Sequence, residues 1–262
     1  MFTEKGYKMI EKKNFTDNDD VTIIAERGIF KVIEYRRDLS VEAEHSDTAF
    51  FCNAMNVRKR QLVCDGQNTN IIVQSGAMQW TAGNVKTETG IKGIGDFIGK
   101  TVQGTVTGES VIKPEYSGGG TVVLEPTYRH ILLIDPAEWG GAVVLDDGLF
   151  LACDASLKYK VTARRNVSSA VAGGEGLFNL CVSGPGLLCL VSPCPKEELI
   201  EIELSDDVLK VDGNMAVLWS ESLDFTLERS GRTLTGSAAS GEGLVNVYRG
   251  TGRIWIAPVQ NK

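Results

Sequence analysis

Three glutamates, Glu109, Glu175 and Glu242, each sit in a glycine-rich turn (GES, GEG and GEG) and are spaced almost evenly along the chain. Carboxylates recurring at one interval can be carried to a common axis, where oxygen ligands would hold a hard cation such as calcium. The same residue type also serves structure, accepting backbone N–H bonds or pairing with an arginine such as Arg249, which is the commoner role of a buried polar group. These three are the binding candidates. No residue is assigned a catalytic role, and neither a metal nor a cofactor is expected.

Other chemistries lack their parts. A cupin-like metal centre needs several histidines beside a carboxylate, and the chain has only His45 and His130, far apart in sequence. A serine hydrolase needs a nucleophile with a positioned base, but there is no G-x-S-x-G. The stretch GIGDFIGKT imitates the phosphate loop G-x-x-x-x-G-K-[ST], yet Ile94 stands where that loop requires glycine, with Gly93 and Gly95 on either side, and no long helix follows. Six cysteines at 52, 64, 153, 181, 189 and 194 form no C-x-x-C pair. They read as small buried hydrophobes, with Cys189 and Cys194 lacking the partners a zinc site would need.

The formal charge of −7 opposes a polyanion. The clusters Arg36-Arg37, Arg58-Lys59-Arg60 and Arg164-Arg165 are short enough to be solvated surface. The N-terminus, MFTEKGYKMIEKKNFTDNDD, has no apolar h-region. Nowhere does the chain offer the roughly 18 apolar residues of a membrane span, so a soluble, cytoplasmic protein is expected. The acceptor patterns at Asn14 and Asn166 are idle in that compartment.

The elements that would position such residues repeat. A second set of turn glycines, Gly120, Gly186 and Gly252, recurs at the same interval, each followed by a strand-like run (TVVLEP, LLCLVSP, RIWIAP) that ends at Pro126, Pro193 or Pro258. Upstream, Gly76, Gly148 and Gly213 each precede an apolar run. The first copy is the longest between this glycine and its glutamate, and the extra residues fall in TGIKGIGDFIGKT. Apolar runs of about 4–8 residues bounded by Gly, Pro, Asp or Ser predict short strands. The continuous runs VVLEP, ILLID, AVVLD and IWIAP predict strands covered on both faces. Glycines at the repeated positions suit φ > 0, and prolines suit strand ends. The four tryptophans (80, 139, 219 and 255) read as core or interface anchors. Ahead of the repeats, VTIIAERGIFKVIEY predicts two strands joined near Arg27-Gly28, and LSVEAEHSDTAFFCNAM fits either a short helix or a further strand.

The order QSGAMQW, GESVIKPEYSGGGTVVLEP, LDDGLFLACDASLKY, GGEGLFNLCVSGPGLLCLVSP and GEGLVNVYRGTGRIWIAP resembles the family named for the yeast protein altered inheritance of mitochondria number twenty-four, from about residue 56 to the end. The resemblance implies an all-β fold of three repeated β-sandwich modules around a pseudo-threefold axis, comparable to the tryptophan-responsive RNA-binding attenuation protein. The expected division is 1–55 as an N-terminal β extension, then repeats at 56–126, 127–193 and 194–262 that form one compact domain. The mitochondrial relatives resemble inner-membrane organisation factors, a role that needs mitochondrial targeting, which is not expected here, and the family supplies no catalytic residue to carry over. The expected function is a non-enzymatic scaffold or interaction protein acting as a homo-oligomer, a trimer being one such assembly, because repeat modules have edges that neighbours cover. Two alternatives stand beside it: a ring binding a small ligand or RNA, by fold analogy alone, and an enzyme with a cleft near His45 or His130.

Overall fold

The computed structural model describes residues 10–67, 69–90, 113–163, 178–229 and 244–259. Within them the short apolar runs become strands. Ahead of the repeats stand β1 (Val21–Arg27) and β2 (Phe30–Tyr35), joined at Gly28, then a 3-10 turn (Ala43–His45) and the helix α1 (Ser46–Ala54). The segment LSVEAEHSDTAFFCNAM is therefore helical from Ala43 to Ala54 and forms no strand. Next come β3 (Arg60–Gln67), β4 (Ile71–Val73), β5 (Met78–Glu88), β6 (Glu115–Leu124) and β7 (His130–Ile134). After a 3-10 turn at Pro136–Trp139 follow β8 (Ala142–Leu145), β9 (Phe150–Asp154), β10 (Lys158–Ala163), β11 (Phe178–Ser183) and β12 (Leu188–Ser192). The chain closes with β13 (Ile200–Asp212), β14 (Ala216–Ser220), β15 (Asp224–Arg229) and β16 (Leu244–Ile256). No described helix is long and apolar enough to cross a membrane.

These strands build two antiparallel sheets. The first runs β1-β2-β3-β6-β4-β9-β12-β7, with β5 on β6; the second runs β10-β11-β8-β14-β16-β13, with β15 on β16. The first curls almost into a barrel, because the chain ahead of β7 returns to β3 through paired bonds between Arg60 and Thr127 at 2.7 and 2.8 Å. The apolar cluster inside that curl includes Phe30, Leu62, Val73, Leu124, Ile131 and Cys189, from strands all belonging to this one sheet. A larger cluster, with Leu145, Leu180, Leu190, Trp139 and Trp255, takes residues from both sheets. The continuous runs are covered on both faces, as expected: Val122, Val123 and Leu124 are all buried, as are Val143, Val144 and Leu145. Trp139, Trp219 and Trp255 are core residues. Trp80 is capped on the outer face by Phe15, ring centroids 5.2 Å apart, which ties the N-terminal segment to the sheet.

Turn chemistry explains several sequence signals. Gly76, Gly148 and Gly213 have φ of 78°, 72° and 61°, the left-handed region where a side chain is strained. The three hairpins β5–β6, β10–β11 and β15–β16 are each antiparallel and enclose the segments 91–112, 164–177 and 230–243. At the open end of the second, where the β9–β10 and β11–β12 turns meet, Asp154 accepts from Leu187 N–H at 2.7 Å and Ser156 donates to Pro185 C=O at 2.7 Å. At the open end of the third, where the β14–β15 turn meets β16, Ser220 accepts from Arg253 N–H at 3.1 Å and Ser222 donates to Thr251 C=O at 2.8 Å. Gly186 and Gly252 sit against these side chains: an added Cβ would lie 2.9 Å from Ser156 Oγ or Ser222 Oγ.

Candidate functional site

Glu109, Glu175 and Glu242 lie outside the described residues, as does the GIGDFIGKT loop. Arg249, suggested as a partner for a turn glutamate, pairs with Glu228 at 2.7 Å. Among the described residues no three His, Cys, Asp or Glu side chains converge as metal ligands. All six cysteines are free, and all but Cys52 are buried. Burial raises the thiols of Cys153 and Cys181 to about 12 and those of Cys64 and Cys189 well above the ordinary range, so they stay protonated and poorly nucleophilic. A shallow surface hollow, too small for a ligand, is lined by Ile29, Cys64, Tyr116, Gly118, Gly120 and Val122, with Thr69 and Ser117 among them.

The two histidines are not together. His45 ends the 3-10 turn before α1, exposed, 3.7 Å from Glu42. His130 opens β7 at the barrel seam, where desolvation and the positive charge of Arg60 lower its pKa from 6.5 to about 4 against the opposing pull of Glu34 and Glu197. It is therefore neutral near pH 7. The lowered folded-state value means that the unfolded chain binds the proton more tightly between pH 6.5 and 4, so stability is lost as pH falls through that window. Thermal unfolding across pH 7.5–4 is expected to show His130→Gln losing less stability than the parent protein, a difference of about 2 kcal/mol after allowing for partial exposure. Parallel curves would show that His130 titrates normally.

At the same seam lies a charged cluster that the sequence pattern misplaces. Arg58-Lys59-Arg60 reads as solvated surface, but Arg60 is only 1% exposed. Strand alternation explains the difference: Arg60 shares the inward face of β3 with Leu62 and Cys64, so its side chain enters the core side. Its Nη2 lies 2.8 Å from Glu34 on the adjacent strand, and Arg58 Nη1 reaches the other oxygen of Glu34 at 2.8 Å. Arg60 also donates to Asn56 Oδ1 at 2.9 Å and to the Asn56 carbonyl at 3.1 Å. Asn56 takes φ of 64°, so its side chain and carbonyl both face the guanidinium from a turn that closes α1.

The cluster thereby fixes the base of α1. Arg58 Nε donates to the Asn53 carbonyl and side chain, each at 3.2 Å, and Asn53 donates to the Arg36 carbonyl. Lys59 holds Asp38 at 2.5 Å. What this frame supports is unusual: α1 has no buried residue at all. Phe50 and Phe51 are 70% and 66% exposed, Met55 77% and Leu39 74%, with Val41 and Val57 also exposed. Single exposed apolar residues are normal, but this many between Leu39 and Val57 leave an apolar surface in water. The adjacent phenylalanines of LSVEAEHSDTAFFCNAM are its only signal in the sequence, since one helical turn cannot bury both without a partner.

Known proteins share this architecture. An uncharacterised protein of Streptococcus pyogenes serotype M6 is 32% identical over 195 residues, covering 71% of this chain and 76% of its own length. A crystal structure of a Streptococcus pyogenes protein superposes with a TM-score of 0.60 at 29% identity, covering 79% of this chain and 90% of that one. The profile of the family described as mitochondrial biogenesis AIM24 matches residues 61–259, which hold both sheets except β1, β2 and the first residue of β3. The chain belongs to the AIM24 family.

Proposed function

We propose that this protein is a non-enzymatic scaffold or interaction module that works as a homo-oligomer and presents α1 as a docking surface. One observation carries the reading: a helix with no buried residue, bearing two exposed phenylalanines, is tied at its base to a buried ion-pair network. The network ties the base of a solvent-exposed apolar surface to the sheet, while burial keeps the thiols of Cys64, Cys153, Cys181 and Cys189 protonated. Two further observations support three modules built on one plan. The glycines Gly76, Gly148 and Gly213 share one backbone region. The bonds at Asp154/Leu187 and Ser156/Pro185 recur one repeat later at Ser220/Arg253 and Ser222/Thr251. Modules so related expose equivalent edges, and equivalent edges favour closed symmetric assemblies.

Sedimentation velocity with native mass spectrometry tests the assembly. The expected result is one species at a small integer multiple of 28.4 kDa, a trimer matching three modules per chain, without added mass. A monomer at micromolar concentration would remove the oligomer, and a stoichiometric small-molecule or nucleic-acid adduct would remove the scaffold reading.

A further inference from the structure

We infer that the α1 surface docks a cationic amphipathic segment of a partner protein; this rests on α1 being an interaction surface. The apolar side chains of Leu39–Val57 say that something covers them, and the charges among them say what. The exposed run carries Glu42, Glu44 and Asp47, and its one basic group is His45. Of the cations beneath it, Arg37 pairs with Asp20 and Lys59 with Asp38, Arg58 shares Glu34 with Arg60, and Arg36 donates to Thr22 Oγ1. Glu42, Glu44 and Asp47 therefore leave the exposed run itself acidic, next to the phenylalanines in sequence. A second copy of the same surface would bring like charges together, and an anionic lipid headgroup would be repelled. A helix with an apolar face for Phe50, Phe51 and Met55 and lysines or arginines on its flanks satisfies both demands. The surface lies N-terminal to residues 61–259, which the family profile matches.

The probe is a pair of labelled peptides of about 20 residues with leucines at helical i, i+3, i+4, i+7 spacing, one carrying lysines and the other glutamates elsewhere. Fluorescence anisotropy with the full chain is expected to give micromolar binding of the lysine peptide, weakened by added salt, and none of the glutamate peptide. Phe50→Ser with Phe51→Ser should weaken it at least tenfold, and so should Glu42→Lys, Glu44→Lys and Asp47→Lys together. These side chains are exposed, so circular dichroism of both variants should match the parent. Equal binding of both peptides, lost with the phenylalanines, would keep the interaction surface and overturn the cationic partner. Binding to phosphatidylglycerol vesicles that depends on the phenylalanines would overturn it in favour of a membrane, and a sedimentation shift in the Phe50→Ser/Phe51→Ser variant alone would overturn it in favour of self-association. Binding of the lysine peptide that neither variant alters would overturn the docking surface itself.

Discussion

Replacing Glu34 with alanine is expected to cost roughly 3–5 kcal/mol of folding stability, the usual cost of stranding one partner of a buried ion pair. Arg60 has no route to water: its side chain is 1% exposed and Glu34 supplies its counter-charge at 2.8 Å. The remaining acceptors are neutral, the Asn56 group and the carbonyls of Arg58 and Tyr128 at 3.3 and 3.4 Å, and the buried Nε has no hydrogen-bond partner. Without the carboxylate a cation is left in a low-dielectric seam between β3 and β7. The loss is a large fraction of the roughly 5–15 kcal/mol that holds a domain together. Urea titration at pH 7 reads it directly. The double variant Glu34→Leu/Arg60→Met should recover most of the loss, since it removes the stranded charge while filling the space, and Arg58 is exposed enough to turn to water. If Glu34→Ala costs under about 1 kcal/mol, water enters the seam and Arg60 is not isolated. Hydrogen exchange adds a second readout: amides from Cys52 to Arg58 should lose protection in Glu34→Ala before the sheets do, because Asn56 and Arg58 tie α1 to this pair.

The same residue shows where sequence reasoning stops. A run of three cations reads as surface because each alone is costly to bury, and only strand alternation with a carboxylate on the neighbouring strand reverses that reading for Arg60. The pairing of β2 with β3 that places Glu34 there is non-local, and a single sequence does not display it. Local signals are clearer. Gly28, Gly76, Gly148 and Gly213 are legible as turns because φ > 0 selects glycine, and the strands ending before Pro126, Pro193 and Pro258 are legible because proline cannot donate to a ladder. The helix α1 is ambiguous because its residues form neither an apolar stripe nor a capped start: the residue before it makes no side-chain capping bond. An exposed helix carries no core periodicity to read. The curl of the first sheet is also hidden, since closure depends on the Arg60–Thr127 bridge, which pairs residues far apart in the chain.

Three consecutive glycines, Gly118, Gly119 and Gly120, look alike in the sequence, and the structure separates them. Gly118 pairs with Val85 and has φ of 92°, and a Cβ on it would fall 2.2 Å from the Asn84 carbonyl oxygen. Gly120 pairs with Gly83, and its Cβ would fall 2.2 Å from the Ala82 oxygen. Both clashes are with backbone, which cannot step aside without breaking the β5–β6 ladder. For Gly119 nothing stands within 4 Å of an added Cβ. Gly118→Ala is therefore expected to lose about 3 kcal/mol or more, combining left-handed strain with the lost hydrogen bonds. Gly119→Ala should stay within about 1 kcal/mol of the parent, since alanine in an extended strand with open space restricts only the unfolded chain. Guanidinium unfolding of the two variants side by side measures the contrast, and equal losses would mean that β5 and β6 do not approach as closely as the register requires. Gly118 also lines the shallow concavity beside Cys64 and Tyr116. The long hairpin is therefore both a structural lock and one wall of that hollow, and its glycines are present because two backbones meet there with no room for a side chain.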